Sequence, residues 1–494
     1  MSAIVFLASF CLMLVQVVSG RALAPHLGVS VFTWTAVIGT TLLGIAFGNA
    51  AGGRIADMAG GKKNLGISLI AAAGSVLLAN YLLTVLAGPF SHLEMHVAIR
   101  AVLMSFVFFL PSAFFLSTIS PQALKIRLSD LTQAGTAVGT LSAWSAAGSI
   151  LGTFAGGYVL ISAIGTKNLL TAVVCILIVL GLGVSQKEKL WKTRPVLLIG
   201  LFFVGDLFVP GLCKMETDYF CIRVIEAGEG AARTYTLRLD HLIHSYVTPE
   251  NPTELGYGYE RVYANLIAMR QKPEDAFTAY FIGGGGYVMP RYLEAKYPNA
   301  KSIVAEIDPG VTEANHRYME LSRNTKIQSI NEDARIHLIK PTQDPKYDFA
   351  FGDAFNDFSV PSHLTTVEFH QRLKSRMSDN GVYALNIIDD VRYGNFLSSM
   401  IRTLRSVWTY VYVAPLNTEL EEGRNTITLI ATDQPIDRNA WYAARPFAVG
   451  EKDELTLLSD EQVDKFLESH RAPALTDDFA PTDRYLAPVF RDAY

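Results

Sequence analysis

Seven predominantly apolar runs, near residues 3–20, 33–51, 66–87, 97–119, 136–161, 168–185 and 195–212, alternate with short polar segments over the first part of the chain. A helix needs about 20 such residues to cross about 30 Å of hydrocarbon, and the seventh run, with Asp206 inside it, is near the short limit. The pattern predicts an N-terminal α-helical transmembrane bundle of about seven spans. The first run has no charged leader and no small-residue cleavage site, so it reads as a retained span. From about Glu216 the period changes: Tyr219–Glu226 and Tyr235–Val247 alternate as strands of a small β-unit. A strand over 278–282 then runs into Gly283–Gly286, a helix follows over 287–297, and the next strand covers 302–307. Later strands end at Asp333, Asp353 and about Asn386. Strands alternating with helices predict a mainly parallel, doubly wound α/β sheet with its ligand beyond the carboxyl ends of the strands. The expected organisation is a transmembrane domain over 1–212, a β-unit and linker over 213–250, and an α/β domain over 251–494.

Charge sharpens this division. Only 18% of the 494 residues are charged, and 11 of those fall in the first 186 positions, so the remainder has an ordinary soluble density. A multi-pass protein of the cell (inner) membrane is expected. A net charge of −4 and a pI near 6.2 give no basic surface for nucleic acid. Lys and Arg cluster after the second, fourth and sixth runs, which places those loops in the cytoplasm. Seven spans would then put the C-terminal half outside and six would put it inside. The small residues of the fifth run, among them Gly148, Gly152 and Gly156, suit close helix packing. Gln16, Asn49, Asn80 and Asp206 are the conspicuous intramembrane polar groups, and structural or interfacial roles suit them better than ion coupling. Cys11, Cys175, Cys213 and Cys221 are scattered and suggest neither a disulfide framework nor a metal site.

The acidic residues carry the chemistry. Gly283, Gly284 and Gly285 let the backbone approach a bulky ligand, and Glu306, 20 residues after Gly286, is spaced to accept both hydroxyls of a ribose. Asp333 is placed to accept from an adenine amine. The strict dinucleotide fingerprint is absent, since Val288 holds its sixth position, and no P-loop lysine follows. Asp353 ends a strand at the ligand edge, where capping the next helix is the plainer alternative. His241 and His244 read as structural residues on one strand, with no second set of ligands to suggest a metal.

Residues 235–390 resemble the spermidine synthase (polyamine aminopropyltransferase) family, and the whole chain resembles its membrane-fused branch. The resemblance is carried by the ordered series Leu239-Asp240-His241-Leu242-Ile243-His244-Ser245, Gly258-Tyr259-Glu260 with Ala264-Asn265-Leu266, Ile282–Gly286, Glu306-Ile307-Asp308, Glu332-Asp333-Ala334 and Gly352-Asp353-Ala354. It implies a Rossmann-like, methyltransferase-type domain preceded by a small β-unit. It also implies decarboxylated S-adenosylmethionine as co-substrate, a polyamine or related amine as acceptor, methylthioadenosine as product, no metal, and pairing as a homodimer. By position, Glu306 resembles the ribose ligand, Asp333 the adenine-side carboxylate, Asp353 the catalytic aspartate and Tyr259 the tyrosine that aligns the amine. Asp357 resembles a second acceptor-site aspartate, displaced by one residue.

Two positions depart from that pattern. Gly286 stands where an aspartate would meet the donor's aminopropyl amine, and Glu260 stands where Gln or His follows the tyrosine. Glu260 is expected to bind substrate and to restore acidity from another direction. Loss of the aspartate keeps a second reading open, in which intact S-adenosylmethionine serves an amine methyltransferase or aminocarboxypropyltransferase. A third reading makes the soluble half an adenosine-ligand sensor.

Overall fold

The computed structural model describes residues 1–91, 93, 95–128, 134–185, 194–341, 345–354, 360–416, 420, 423–446 and 455–490. The chain divides into two compact units, Met1–Cys221 and Ile222–Tyr494.

Among the described residues of the first unit six helices are long and apolar enough to cross a membrane: α1 (Ser2–Leu27), α2 (Val31–Asp57), α3 (Lys62–Ser91), α4 (Val97–Arg127), α5 (Ala134–Ile164) and α6 (Thr166–Val184). The seventh expected span is the shorter α7 (Arg194–Leu207). Lipid gives no hydrophobic drive for association, so the helices hold together by close backbone packing. A Cβ on Gly148 or Gly152 would run into the main chain at Phe6 or Phe10, so α5 lies against α1 through the small residues expected to do this. The same device, unnoticed in the sequence, joins α2 to α4: a Cβ on Gly44 would come 2.5 Å from the Ala113 Cβ, and one on Gly52 would come 2.6 Å from the Thr118 carbonyl. Among the described residues, a Cβ on Gly135 or Gly139 would meet nothing within 4 Å. Asn80 Nδ2 donates to both carboxylate oxygens of Asp206 at 3.0 Å, which satisfies this buried carboxylate structurally.

The second unit opens with antiparallel strands β1 (Cys221–Ala227), β2 (Thr234–Leu239) and β3 (Leu242–Val247). The single strand expected over 235–247 is a hairpin: the chain reverses at Asp240, whose φ is 49°, and His241 lies in the turn, away from the strand that holds His244.

The main sheet contains β4 (Thr278–Ile282), β5 (Lys301–Ala305), β6 (Gln328–Ile330), β7 (Tyr347–Gly352), β8 (Met377–Asp390), β9 (Tyr410–Pro415) and β10 (Arg424–Thr432), in the order β9-β10-β8-β7-β4-β5-β6. The strands from β8 to β6 run parallel, and β10 and β9 add an antiparallel edge. The sheet order turns back between β4 and β7, and this switch point opens a crevice at their carboxyl ends. Every residue of β4 is buried, as a parallel strand covered on both faces requires. Three strand boundaries differ from expectation, and the first is β5, expected over 302–307, which ends at Ala305 and leaves Glu306 in the loop beyond it. β6 stops at Ile330, because Asp333 caps the helix Ala334–Ile339. β8 continues past Asn386 to Asp390, because its register with β10 extends to the pair Asp390 and Arg424.

Candidate active site

The loops after β4, β5 and β7 converge at the switch point. Gly283 has φ of 96°, a conformation open to glycine, and its N–H bonds the Ala305 carbonyl at 2.9 Å. The Asp353 N–H bonds the Ile282 carbonyl at 3.0 Å, so the first residue past each strand is still tied to the sheet. Glu306 follows β5 and is 6% exposed. Its carboxylate accepts from the Gly284 N–H at 2.7 Å and the Asp308 N–H at 2.9 Å. Burial raises its pKa, and those N–H groups work against the rise. Gly285, with φ of 48°, offers its carbonyl to Asn315 Nδ2 at 2.7 Å.

Asp353 immediately follows β7. The Tyr259 hydroxyl donates to its Oδ2 at 2.7 Å, and Asn386 Nδ2 donates to its Oδ1 at 3.1 Å. Both carboxylate oxygens are therefore fixed by side chains from two other elements, and neither of these bonds is a helix cap. An edge of the residue reaches the cleft while the carboxyl is enclosed, and this burial raises its pKa against the two hydrogen bonds. Tyr259 lies on α8 (Gly258–Arg270); burial first, and then the neighbouring Asp353, push its pKa well up, so it stays a donor. Ring contacts hold it in place, with Tyr257 at 5.6 Å and Tyr263 at 5.5 Å between centroids. The hydrogen bond to Asp353 and aromatic packing thus coexist at Tyr259.

Glu260 lines the same cleft as Tyr259, Asp353, Gly283, Gly284 and Gly285. It is 2% exposed and accepts from the Tyr257 N–H at 2.9 Å. Burial moves its pKa up to about 8, with the Asp353 charge adding to the rise. An acid with a raised folded pKa keeps its proton in the folded state after the unfolded chain has lost it. Its contribution to stability is therefore complete below about pH 4.5 and is lost as pH rises toward 8. Urea unfolding of the full chain in detergent, run from pH 5 to 8, should show wild-type stability falling relative to Glu260→Gln. Parallel curves for the two proteins would refute the assignment.

Asp333 sits beyond β6 as the N-cap of Ala334–Ile339, with Oδ1 accepting from the Ile336 N–H at 3.0 Å and Oδ2 lying 2.8 Å from His363 Nε2. Burial would raise its pKa, but the His363 and backbone hydrogen bonds outweigh this and lower it. Asp357 lies outside the described residues. At Gly286 no side chain fits: a Cβ would come 2.6 Å from the Ser245 Cβ and 2.8 Å from Val247 Cγ2, and the Gly286 N–H donates to Ser245 Oγ at 2.8 Å. Asn386 and Ser245 are the contributors without an assigned role in the sequence. Ser245 stood inside a quoted motif, whereas Asn386, 33 residues from Asp353, carried no local signal.

Against known proteins, no family model matches the chain. A polyamine aminopropyltransferase of Vibrio vulnificus is 28% identical over 299 residues, 58% of this chain and 94% of that protein. A polyamine aminopropyltransferase of Chromobacterium violaceum is 24% identical over 160 residues, 32% of this chain and 60% of that protein. The solved spermidine synthase of Thermotoga maritima aligns with a TM-score of 0.38 at 18% identity, covering 51% of this chain and 89% of that one. The protein is a spermidine synthase-like transferase, similar to the Vibrio vulnificus aminopropyltransferase over 58% of its length.

Proposed function

We propose that this membrane-bound transferase moves an aminopropyl group from decarboxylated S-adenosylmethionine to a polyamine or related amine, releasing methylthioadenosine. The observation that carries the reading is the doubly anchored Asp353, held by Tyr259 and Asn386 in the same cleft as the glycine turn and Glu260. An alkylammonium with a pKa of about 10 has no free lone pair, so it must be desolvated and deprotonated before attack. Asp353, with its raised pKa, accepts that proton. The amine nitrogen bonds the carbon next to the sulfonium, the carbon–sulfur bond breaks, and sulfur keeps the electron pair as a neutral thioether. Tyr259 orients the carboxylate. Gly283–Gly285 and Glu306 are assigned to the ribose side, and Asp333 to the adenine side of the donor. Asp357 and Glu260 are assigned to substrate binding.

One observation favours a second reading. Gly286 leaves no room for the carboxylate that would hold the donor's amine, which suits intact S-adenosylmethionine and a methyl or aminocarboxypropyl transfer. Against it, the described residues lining the cleft include two acids, Glu260 and Asp353, and among them no Lys, Arg or His to meet that donor's carboxylate. Mass spectrometry of the nucleoside released from each donor with a panel of amines decides between them. Methylthioadenosine from the decarboxylated donor alone supports the first reading, and adenosylhomocysteine from the intact donor overturns it.

Asn386 should act as a positioning residue. A hydrogen bond to a charged group is worth about 1.5–3 kcal/mol, so Asn386→Leu should lower kcat by about 10- to 100-fold. It should also raise the acidic limb of the kcat–pH profile, because Asp353 loses a group that favours its charged form. A variant that loses activity with an unchanged profile would make the contact merely structural.

A further inference from the structure

The polar contacts of the first unit sort its helix ends onto two faces. On one face Lys125 pairs with Asp57 at 3.0 Å, Arg127 donates to Ser2 Oγ at 2.6 Å, and Gly66 lies against Ser185. On the other, Arg21 donates to the carbonyls of Tyr219 at 2.7 Å and Thr217 at 2.9 Å, and the Thr166 N–H donates to Glu216 at 3.0 Å.

The helix α7 connects the two faces. Ser185, just after α6, packs at Gly66; Ile199 packs at Gly74, where a Cβ would be 3.0 Å from its Cδ1; Asp206 meets Asn80. The chain thus climbs alongside α3 from residue 66 to residue 80, a rise of about 21 Å. Lys167, at the start of the 19-residue α6, donates to the Asp206 carbonyl at 2.7 Å and also to that of Val209. By Val209 the chain has therefore returned to the level from which α6 set out, about 28 Å away. Short as α7 is, this return is a seventh crossing.

Two independent features orient the bundle. Segments 54–63 and 125–127 belong to the first face, and in the sequence these two together with the connection between α6 and α7 (187–194) hold nine Lys and Arg residues, while Arg21, Arg100 and Lys167 stand singly, which makes the first face cytoplasmic. Where the chain emerges on the second face, Cys213 and Cys221 form a disulfide, a pairing unforeseen in the sequence. Such bonds persist in oxidising, extracytoplasmic compartments and are rare in cytosol. Its formation removes two protons and two electrons from the thiols, which a disulfide-bearing thiol oxidant of that compartment takes up.

From this geometry we infer that the catalytic half works on the extracytoplasmic face and draws its acceptor amine from that side. The acceptor rests on the function proposed above; the sidedness does not. The test uses the full chain with a C-terminal epitope tag in a bacterial inner membrane. Protease added to spheroplasts should remove the tag, whereas inverted vesicles should protect it, and Cys213 and Cys221 should take up maleimide only after reduction. A tag protected in spheroplasts, or labelling of both cysteines without reductant, overturns the inference. Neither readout needs turnover, so failure of the transfer chemistry leaves this result standing, and the reverse holds too.

Discussion

Asp353→Asn should abolish turnover while leaving the donor bound. The substitution keeps the size of the side chain and removes its ability to take a proton, and a positioned general base contributes about 10²- to 10⁴-fold to rate. It also sets a second amide near the Asn386 Nδ2 and Tyr259 hydroxyl donors that fix the carboxylate at 3.1 and 2.7 Å. The fall should therefore lie in kcat, by about three orders of magnitude, with the affinity for the decarboxylated donor changed by less than about 3-fold. Thioether release followed by mass spectrometry, with donor affinity from calorimetry, separates the two quantities. Retention of a tenth of wild-type turnover would remove Asp353 from the chemistry.

Gly283→Ala should damage binding and turnover together. Gly283 occupies φ of 96°, and a Cβ there would lie 2.5 Å from the main-chain oxygen of Asp353. A side chain forced into such a region costs about 1–3 kcal/mol, and relief of the clash must displace the segment that carries the Asp353 carboxylate. Because the same turn presents the Gly284 N–H to Glu306, the donor side shifts with it. Donor affinity should drop by at least about 10-fold alongside kcat, and the thermal midpoint of the second unit should fall by several degrees. Wild-type donor affinity in this variant would show that the turn does not form the donor site.

The two variants test different levels of one arrangement. Asp353→Asn alters a proton acceptor inside an intact frame, and Gly283→Ala alters the frame. Glu260→Gln stands between them, since it removes a buried acid with a pKa of about 8 that lines the same cleft as Asp353. A cation entering the cleft favours the charged form of Glu260, so acceptor binding should be tighter at pH 9 than at pH 7 in wild type.

What the sequence determined by itself is what local periodicity and spacing encode. Apolar runs of spanning length separated a part able to cross a membrane from one of ordinary charge density, because burial in hydrocarbon demands unbroken hydrophobicity. Strand–helix alternation with acids at the strand ends fixed the doubly wound sheet and the edge that carries its site, because parallel strands need crossovers and their ends open at a switch point. Tertiary structure decided which distant groups meet. Asn386 reaches Asp353 only because β8 is laid beside β7, and Asp333 caps a helix beyond the end of β6 instead of closing that strand. Cys213 and Cys221 pair across a bend that no spacing rule announces, and Gly44 and Gly52 matter only because α4 passes over them. Spacing along a chain constrains neighbours within a turn or a strand, whereas contacts between elements depend on the packing of surfaces that the sequence lists far apart.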